Sequence, residues 1–381
     1  MLVAAGLGCG GDPHAEVQPI SSDAAAEAAS FTPLAPVSQE RRCPKALADA
    51  WGIGSQVLEL DVTTAANVRL APGLLTKSAI IVPWTATPCC APGATSVGVA
   101  NLAPLNATKT VLLGSSNAGQ NQPFPVFARG DELGALDPFQ SFTRVVSVRA
   151  DTLEIGASVP IDLHVASTST PSVVAVGNAV AALLGPDPRL VMLDATLGEV
   201  LMDVPLGDGP VEGSSLTFTE AGLVATWIDG FAQELVAVAF DTMGEQRSAM
   251  QRYAWNSSTN MAPSVAWDGV SVVISGPGAV LELGVNAELV AQTPVVGEAL
   301  AAAGADDGVV ALTSKSGSSE DPHIQLLERG TGKLLEDLGA VEVNGYGVTG
   351  SVVAARRTLF FATSSYSTRS QVVWRQVDCG P

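Results

Sequence analysis

The chain has 381 residues, 47% of them apolar, which is too hydrophobic for wholesale disorder and long enough for one large core or two ordinary ones. Nineteen Lys and Arg stand against 38 Asp and Glu, a formal charge of -19 that repels phosphate backbones and argues against nucleic acid as a partner. The acidic residues are scattered, and no loop carries the alternating Asp/Asn ligands and final Glu of a calcium-binding hand, so the charge reads as a solvated surface.

The first nine residues, Met1-Leu2-Val3-Ala4-Ala5-Gly6-Leu7-Gly8-Cys9, are small and apolar and are followed by Gly10, Gly11 and Asp12. They resemble the tail of a bacterial lipoprotein signal peptide, in which a Leu-small-Gly/Ala-Cys lipobox is cleaved before a cysteine that is then lipidated. Gly6 stands where that family has Leu, and no Lys or Arg precedes the apolar stretch, as a start codon placed too far downstream would produce. The resemblance implies lipidation of Cys9 and attachment to the membrane of a bacterial cell envelope, as an outer-membrane lipoprotein facing the periplasm or the cell surface. An ordinary cleaved secretion signal, giving a secreted protein, and an apolar terminus without targeting content are the alternatives. The expected organisation is a signal-peptide remnant over 1–8, a flexible tether over 9–46 rich in Ala, Pro, Ser and Glu, and one folded domain over 47–381. The uncharged run 78–108 is broken by Pro83, Pro88, Pro92 and Pro104, so it is no transmembrane span and membrane attachment is expected to be N-terminal.

With Cys9 taken by lipid, four cysteines remain: Cys43, Cys89, Cys90 and Cys379. An even number in an exported chain predicts two disulfides, with three connectivities open. Bridges from the adjacent pair to Cys43 and Cys379 would tie both termini to the start of the domain, stabilising it by about 4–5 kcal/mol in the chain-entropy model. A vicinal Cys89-Cys90 bridge is the alternative. The spacing of Cys and His matches no zinc site, and no metal is expected.

Past the tether, Gln56-Val57-Leu58-Glu59-Leu60-Asp61-Val62 alternates as an exposed strand does. Strand-like runs at 78–84, 110–114, 125–128 and 144–149 supply enough for two irregular blades. From residue 173 the pattern becomes periodic, because an apolar strand pair hinged on a tight polar turn occurs five times, over 173–184, 216–228, 263–274, 301–313 and 351–363. The turn residues Asn178, Gly222, Gly269, Gly308 and Arg357 are spaced by 44, 47, 39 and 49 residues, the period of a four-stranded propeller blade. Third and fourth strands are predicted over 190–201, 235–247, 280–290 and 324–335. The last unit stops after its third strand, 371–378, which leaves the segment at 56–62 as donor of the fourth. The fold expected is all-β, a single β-propeller of about seven four-stranded blades closed by an N-terminal strand.

The copy at Ala305-Asp306-Asp307-Gly308-Val309-Val310-Ala311-Leu312, continued by Ile324-Gln325-Leu326-Leu327-Glu328-Arg329-Gly330-Thr331-Gly332-Lys333-Leu334-Leu335, resembles the quinoprotein-like (PQQ-like) propeller repeat, and 190–201 resembles its second half. The docking Trp of that repeat is absent, its place falling near Leu201 and Leu335. The resemblance implies, as one alternative, a quinoprotein-type oxidoreductase with a vicinal Cys89-Cys90 disulfide near a quinone.

Catalytic patterns are sparse. His14, His164 and His323 have no partner at a dyad spacing, and neither a nucleophile elbow nor a phosphate-binding loop occurs. Asp306-Asp307-Gly308 and Asp268-Gly269 read as hairpin turns. The favoured expectation is a non-catalytic binding or scaffolding module without a cofactor, presenting its loops to a protein, peptide or glycan. Trp227, Tyr253, Trp255, Trp267 and Trp374 are its candidate contacts.

Overall fold

A computed structural model describes residues 45–46, 56–60, 66–76, 79–88, 95–102, 109–116, 125–137, 143–161, 171–194, 199–255, 263–315, 320–343, 346–355, 358–366 and 371–380. β1 (Lys45–Ala46) and β2 (Gln56–Glu59) come first and pair with the last strand of the chain. The first sheet holds β3 (Ala66–Leu70), β4 (Leu74–Leu75), β5 (Ile80–Pro88), β6 (Thr95–Asn101) and β7 (Lys109–Ser116). The second holds β8 (Val126–Arg129), β9 (Glu132–Asp137), β10 (Thr143–Arg149) and β11 (Ile155–Ile161). In the third are β12 (Ser172–Val176), β13 (Ala179–Leu184), β14 (Arg189–Asp194) and β15 (Glu199–Pro205), and in the fourth β16 (Val211–Thr219), β17 (Gly222–Asp229), β18 (Glu234–Phe240) and β19 (Gln251–Ala254). The fifth has six strands, β20 (Ser264–Trp267), β21 (Val272–Leu283), β22 (Leu289–Ala305), β23 (Gly308–Ser314), β24 (His323–Leu327) and β25 (Leu334–Ala340). The sixth is β26 (Tyr346–Ala355), β27 (Thr358–Tyr366) and β28 (Gln371–Gly380), with β1 and β2 both paired to β28.

Antiparallel neighbours joined by short polar turns follow from the sequence pattern. Apolar β-branched runs fit a pleated surface, and Gly, Asn and Asp supply the reversals. At Gly222 the φ of +132° is closed to L side chains, and an added Cβ would stand 2.2 Å from the Phe240 carbonyl oxygen. Asp268 caps its own turn, its Oδ1 accepting from the amides of Val270 at 2.8 Å and Ser271 at 2.7 Å.

Successive sheets share apolar clusters. Ile81 and Val99 of the first pack with Leu133 and Val146 of the second. Phe127 and Leu136 of the second meet Val180 and Leu193 of the third. Val224 and Leu235 of the fourth meet Val272 and Leu281 of the fifth. Leu312 and Ile324 of the fifth meet Phe361 and Val373 of the sixth, whose Val353 and Trp374 in turn pack with Val68 and Trp84 of the first.

Two sequence expectations are corrected. The described residues form six blades, not about seven, because two sequence repeats share the fifth sheet. β21 runs from its pairing with β20 into its pairing with β22 through Gly276-Pro277-Gly278, and β22 continues through Val296-Gly297, so no break separates the units at 263–274 and 301–313. The fourth strand expected within 235–247 lies instead at Gln251–Ala254. Asp241 Oδ1 accepts from the amides of Met243 and Glu245 at 2.8 and 2.9 Å, and Gly244 has a φ of +85°, which turns the chain where a strand was expected. Gln56 lies opposite Trp374 and Glu59 opposite Gln371, so the segment nominated as strand donor occupies the free edge of β28.

Inside the fifth sheet the two repeats are fastened by charge. The Glu282 side chain is fully buried, and its Oε1 accepts from Arg329 Nε at 2.7 Å. Arg329 also donates to the carbonyls of Ala305 at 2.6 Å and Gly308 at 3.0 Å, while Ser271 Oγ bridges Glu282 and Asp268 at 3.4 and 3.2 Å. The Arg329 turn docks on β22, where Thr293 Oγ1 accepts from the Gly330 amide and a Cβ on Gly332 would lie 2.1 Å from the Pro294 carbonyl oxygen. Removing one member of such a pair strands a buried charge, so Arg329→Ala should lower the unfolding free energy by about 3–5 kcal/mol in urea titration. A loss no larger than that of an exposed ion pair such as Arg149–Asp151 would contradict the assignment.

On the same sheet, burial raises the Glu298 carboxyl above its ordinary range. A raised carboxyl binds its proton more tightly folded than unfolded, so its contribution is favourable below the unfolded value and is lost as pH climbs to the folded one. Glu298→Gln should therefore melt at a higher temperature than the parent at about pH 7, with the difference vanishing near about pH 3 in thermal scans.

Candidate functional site

The first strands of the sheets converge on a cavity of about 360 Å³, lined by residues 69–75, 83, 125–128, 171–175, 211–218, 263–267, 300, 349–350 and 352–354. Pro125, Pro171, Pro210 and Pro263 each sit one residue ahead of β8, β12, β16 and β20, where a missing N–H costs the ladder nothing. Pro125, Pro171 and Pro263 face the cavity.

Hydroxyls tie neighbouring inner strands together. Ser172 Oγ accepts from the Leu216 amide at 2.8 Å, joining β12 to β16, and Thr349 Oγ1 accepts from the Leu70 amide at 2.9 Å, joining β26 to β3. Ser264 Oγ, also on the cavity wall, is buried and has no hydrogen-bond partner among the described residues. Most of the remaining wall is apolar, with Leu70, Leu74, Val126, Phe127, Val173, Leu216, Val265, Trp267 and Val353 contributing.

Two charged side chains line this space. Glu212 is engaged at its edge, Oε2 accepting from Gln233 Nε2 at 3.2 Å. Arg69 has a buried Nε without a partner, and burial draws its pKa below that of a free guanidinium.

The aromatic candidates lie mainly in the core. Trp227 is 4% exposed and Trp374 1%, the latter beside Phe360 with ring centroids 6.2 Å apart. Trp255 and Trp267 belong to the cluster between the fourth and fifth sheets, Tyr253 packs against it, and the Tyr253 hydroxyl donates to the Ala287 carbonyl at 2.6 Å. Of the five, only Trp267 lines the cavity. His323 Nδ1 lies 2.9 Å from Asp337 Oδ2 across β24 and β25, an exposed pair that sequence spacing did not reveal. Cys379 is buried on β28 opposite Ala46, whereas Cys9, Cys43, Cys89, Cys90, His14 and His164 lie outside the described residues. Among the described residues no group of three or more His, Cys, Asp or Glu is placed to hold a metal ion.

Sequence reading missed Arg69 and Ser264. Arg69 sits in Asn67-Val68-Arg69-Leu70, an alternation that reads as an ordinary strand with one solvent-facing position. The recurring proline ahead of four of the inner strands was the one signal available for locating the cavity wall.

No protein-family model and no curated protein matches the chain. Solved structures do. The crystal structure of RRP9 WD40 repeats aligns over 89% of this chain and 100% of its own, at 11% identity and a TM-score of 0.53. A chain of the mitotic checkpoint complex aligns over 86% and 95%, at 9% identity and a TM-score of 0.53. BamB from Moraxella catarrhalis aligns over 84% and 98%, at 13% identity and a TM-score of 0.45. At such identities the likeness to the first two is one of fold, and the fold is a β-propeller with four-stranded blades.

Proposed function

We propose that this propeller is a non-catalytic binding module whose central cavity and surrounding turns receive a protein or peptide partner. The observation that carries the reading is the cavity itself, a mostly apolar space walled by the inner strands, which suits recognition by burial with a few placed polar groups. An exposed apolar side chain stands beside one lining strand. Phe231, 82% exposed, sits on the β17–β18 turn beside the start of β16, whose residues 211–218 line the cavity. That turn is held by its own side chain, Asp229 Oδ1 accepting from the amides of Phe231 and Ala232 at 3.0 and 3.1 Å.

A photo-crosslinking amino acid at position 231, in cells of the native host, should yield a discrete adduct that the same residue at position 201 on β15 does not give. Identical adducts from both positions, or none from 231, would remove the cavity end as the contact surface.

We further propose that the module is held at a bacterial cell envelope by a lipid on Cys9 and that β2 closes the ring. Ring closure is supported by the β2–β28 pairing and by the bond from the Leu70 amide to Thr349. Cys379 forms a disulfide with Cys43, Cys89 or Cys90 in this reading, in keeping with its buried position on β28. Intact mass of the protein from host membranes should show a diacylglyceryl group on Cys9, and non-reduced peptide mapping should place Cys379 in a bridge. An unmodified Cys9 would remove the anchor, and a free Cys379 thiol would remove the bridge.

A further inference from the structure

We propose that the central cavity takes its ligand by a carboxylate, with Arg69 as the anchoring group. The proposal rests on the cavity being the binding site and specifies what it binds. Arg69 lies on β3 between Val68 and Leu70, which are both buried in the cluster shared by the first and sixth sheets. The strand's alternation therefore turns Arg69 away from that cluster, and its side chain contributes to the cavity wall.

Its electrostatic position is unusual for this chain. Carboxylates outnumber cations two to one, and Arg149, Arg189, Arg252 and Arg329 each pair with one. Arg69 makes no hydrogen bond or ion pair with any described residue, its Nε is buried, and no carboxylate offsets the effect of that burial on its pKa. A guanidinium carries five donors and no acceptor and stays charged at any ordinary pH, so a half-buried one without a protein acceptor is open to an acceptor from outside. Glu212, the other charged residue on the wall, is bonded to Gln233 and does not serve.

A carboxylate suits the rest of the cavity. One cation balances one negative charge, a planar carboxylate accepts two parallel bonds from a guanidinium, and the apolar wall takes the hydrocarbon that follows. The unpartnered Ser264 hydroxyl offers a second hydrogen bond. Two sources carry this chemistry, the C-terminus of a peptide with apolar final residues and a free short-chain carboxylic acid.

The test uses the purified full chain, a random hexapeptide library made once with C-terminal acids and once with carboxamides, and hexanoate. Wild type should retain acid peptides or hexanoate at least about tenfold better than the amides, and Arg69→Gln should lose that preference. Arg69→Lys keeps the charge without the fork and should bind about tenfold more weakly than wild type, which decides the matter even where Arg69→Gln fails to fold. Retention of acid peptides assigns the ligand to peptide C-termini, and retention of hexanoate alone assigns it to free acids. Equal retention of acids and amides, or equal binding by wild type and Arg69→Lys, overturns the carboxylate anchor while leaving the cavity as a site. No retention of any probe by wild type overturns both.

Discussion

A β-sheet with one apolar face can cover it with a neighbour and show the other to water, but β13, β17 and β23 have no face to show. All six residues of β13 are buried, as are the first seven of β17 and the first six of β23. Each such strand must be covered on both sides, and burying one Leu or Val contributes about 1.5–3 kcal/mol, so an uncovered blade would forfeit many times the margin by which a domain is stable. Sheets packed face to face in succession meet the demand, since each is then covered by its neighbours. The clusters spanning consecutive sheets, and the one joining sixth to first, are that constraint expressed in side chains.

The fifth sheet shows how the same demand is met when the chain does not break between units. A cluster lies within it, setting Val273 and Val280 of the first repeat against Ala302 and Ala311 of the second. Small side chains dominate the second repeat there, Ala299 to Ala303 being almost continuous alanine around Leu300, which permits close approach but contributes little apolar area. The Arg329–Glu282 pair lies at this weak seam. A buried ion pair adds little over a hydrophobic one, yet it has one workable geometry, and that fixes how the Arg329 turn seats on β22.

Most of the fold was legible because it is written as periodicity. The turn landmarks recur in sequence, and Gly222 and Gly308 are found where an added Cβ would strike a carbonyl oxygen. Thr331-Gly332, part of the stretch that resembles the quinoprotein-like repeat, has a local cause of the same kind in the carbonyl of Pro294. The blade count was less legible, since a Gly-Pro-Gly that reads as a boundary is also compatible with one strand changing partners, and hydrogen bonding alone decides between them. The fourth strand after β18 was misplaced because Val238-Ala239-Phe240 leads into Asp241, whose side chain bonds to nearby amides outcompete a ladder no periodic pattern can reveal.

The binding surface was hardly legible at all, and the reason is physical. Aromatic side chains attract attention in a sequence as candidate contacts, but a propeller whose sheets are apolar on both faces needs bulk between blades, and Trp255 and Trp374 are drawn there. What is left for the centre are the inner strands, four of them opened by proline and mixed in polarity, whose residues look unremarkable one at a time. Arg69 and Ser264 belong to strands nearly 200 residues apart, and only the fold brings them to the same cavity. The acidity of the chain sharpens the point. With two carboxylates for every cation, a guanidinium that pairs with none among the described residues stands out, and its place on the cavity wall is what sets it apart from the paired arginines.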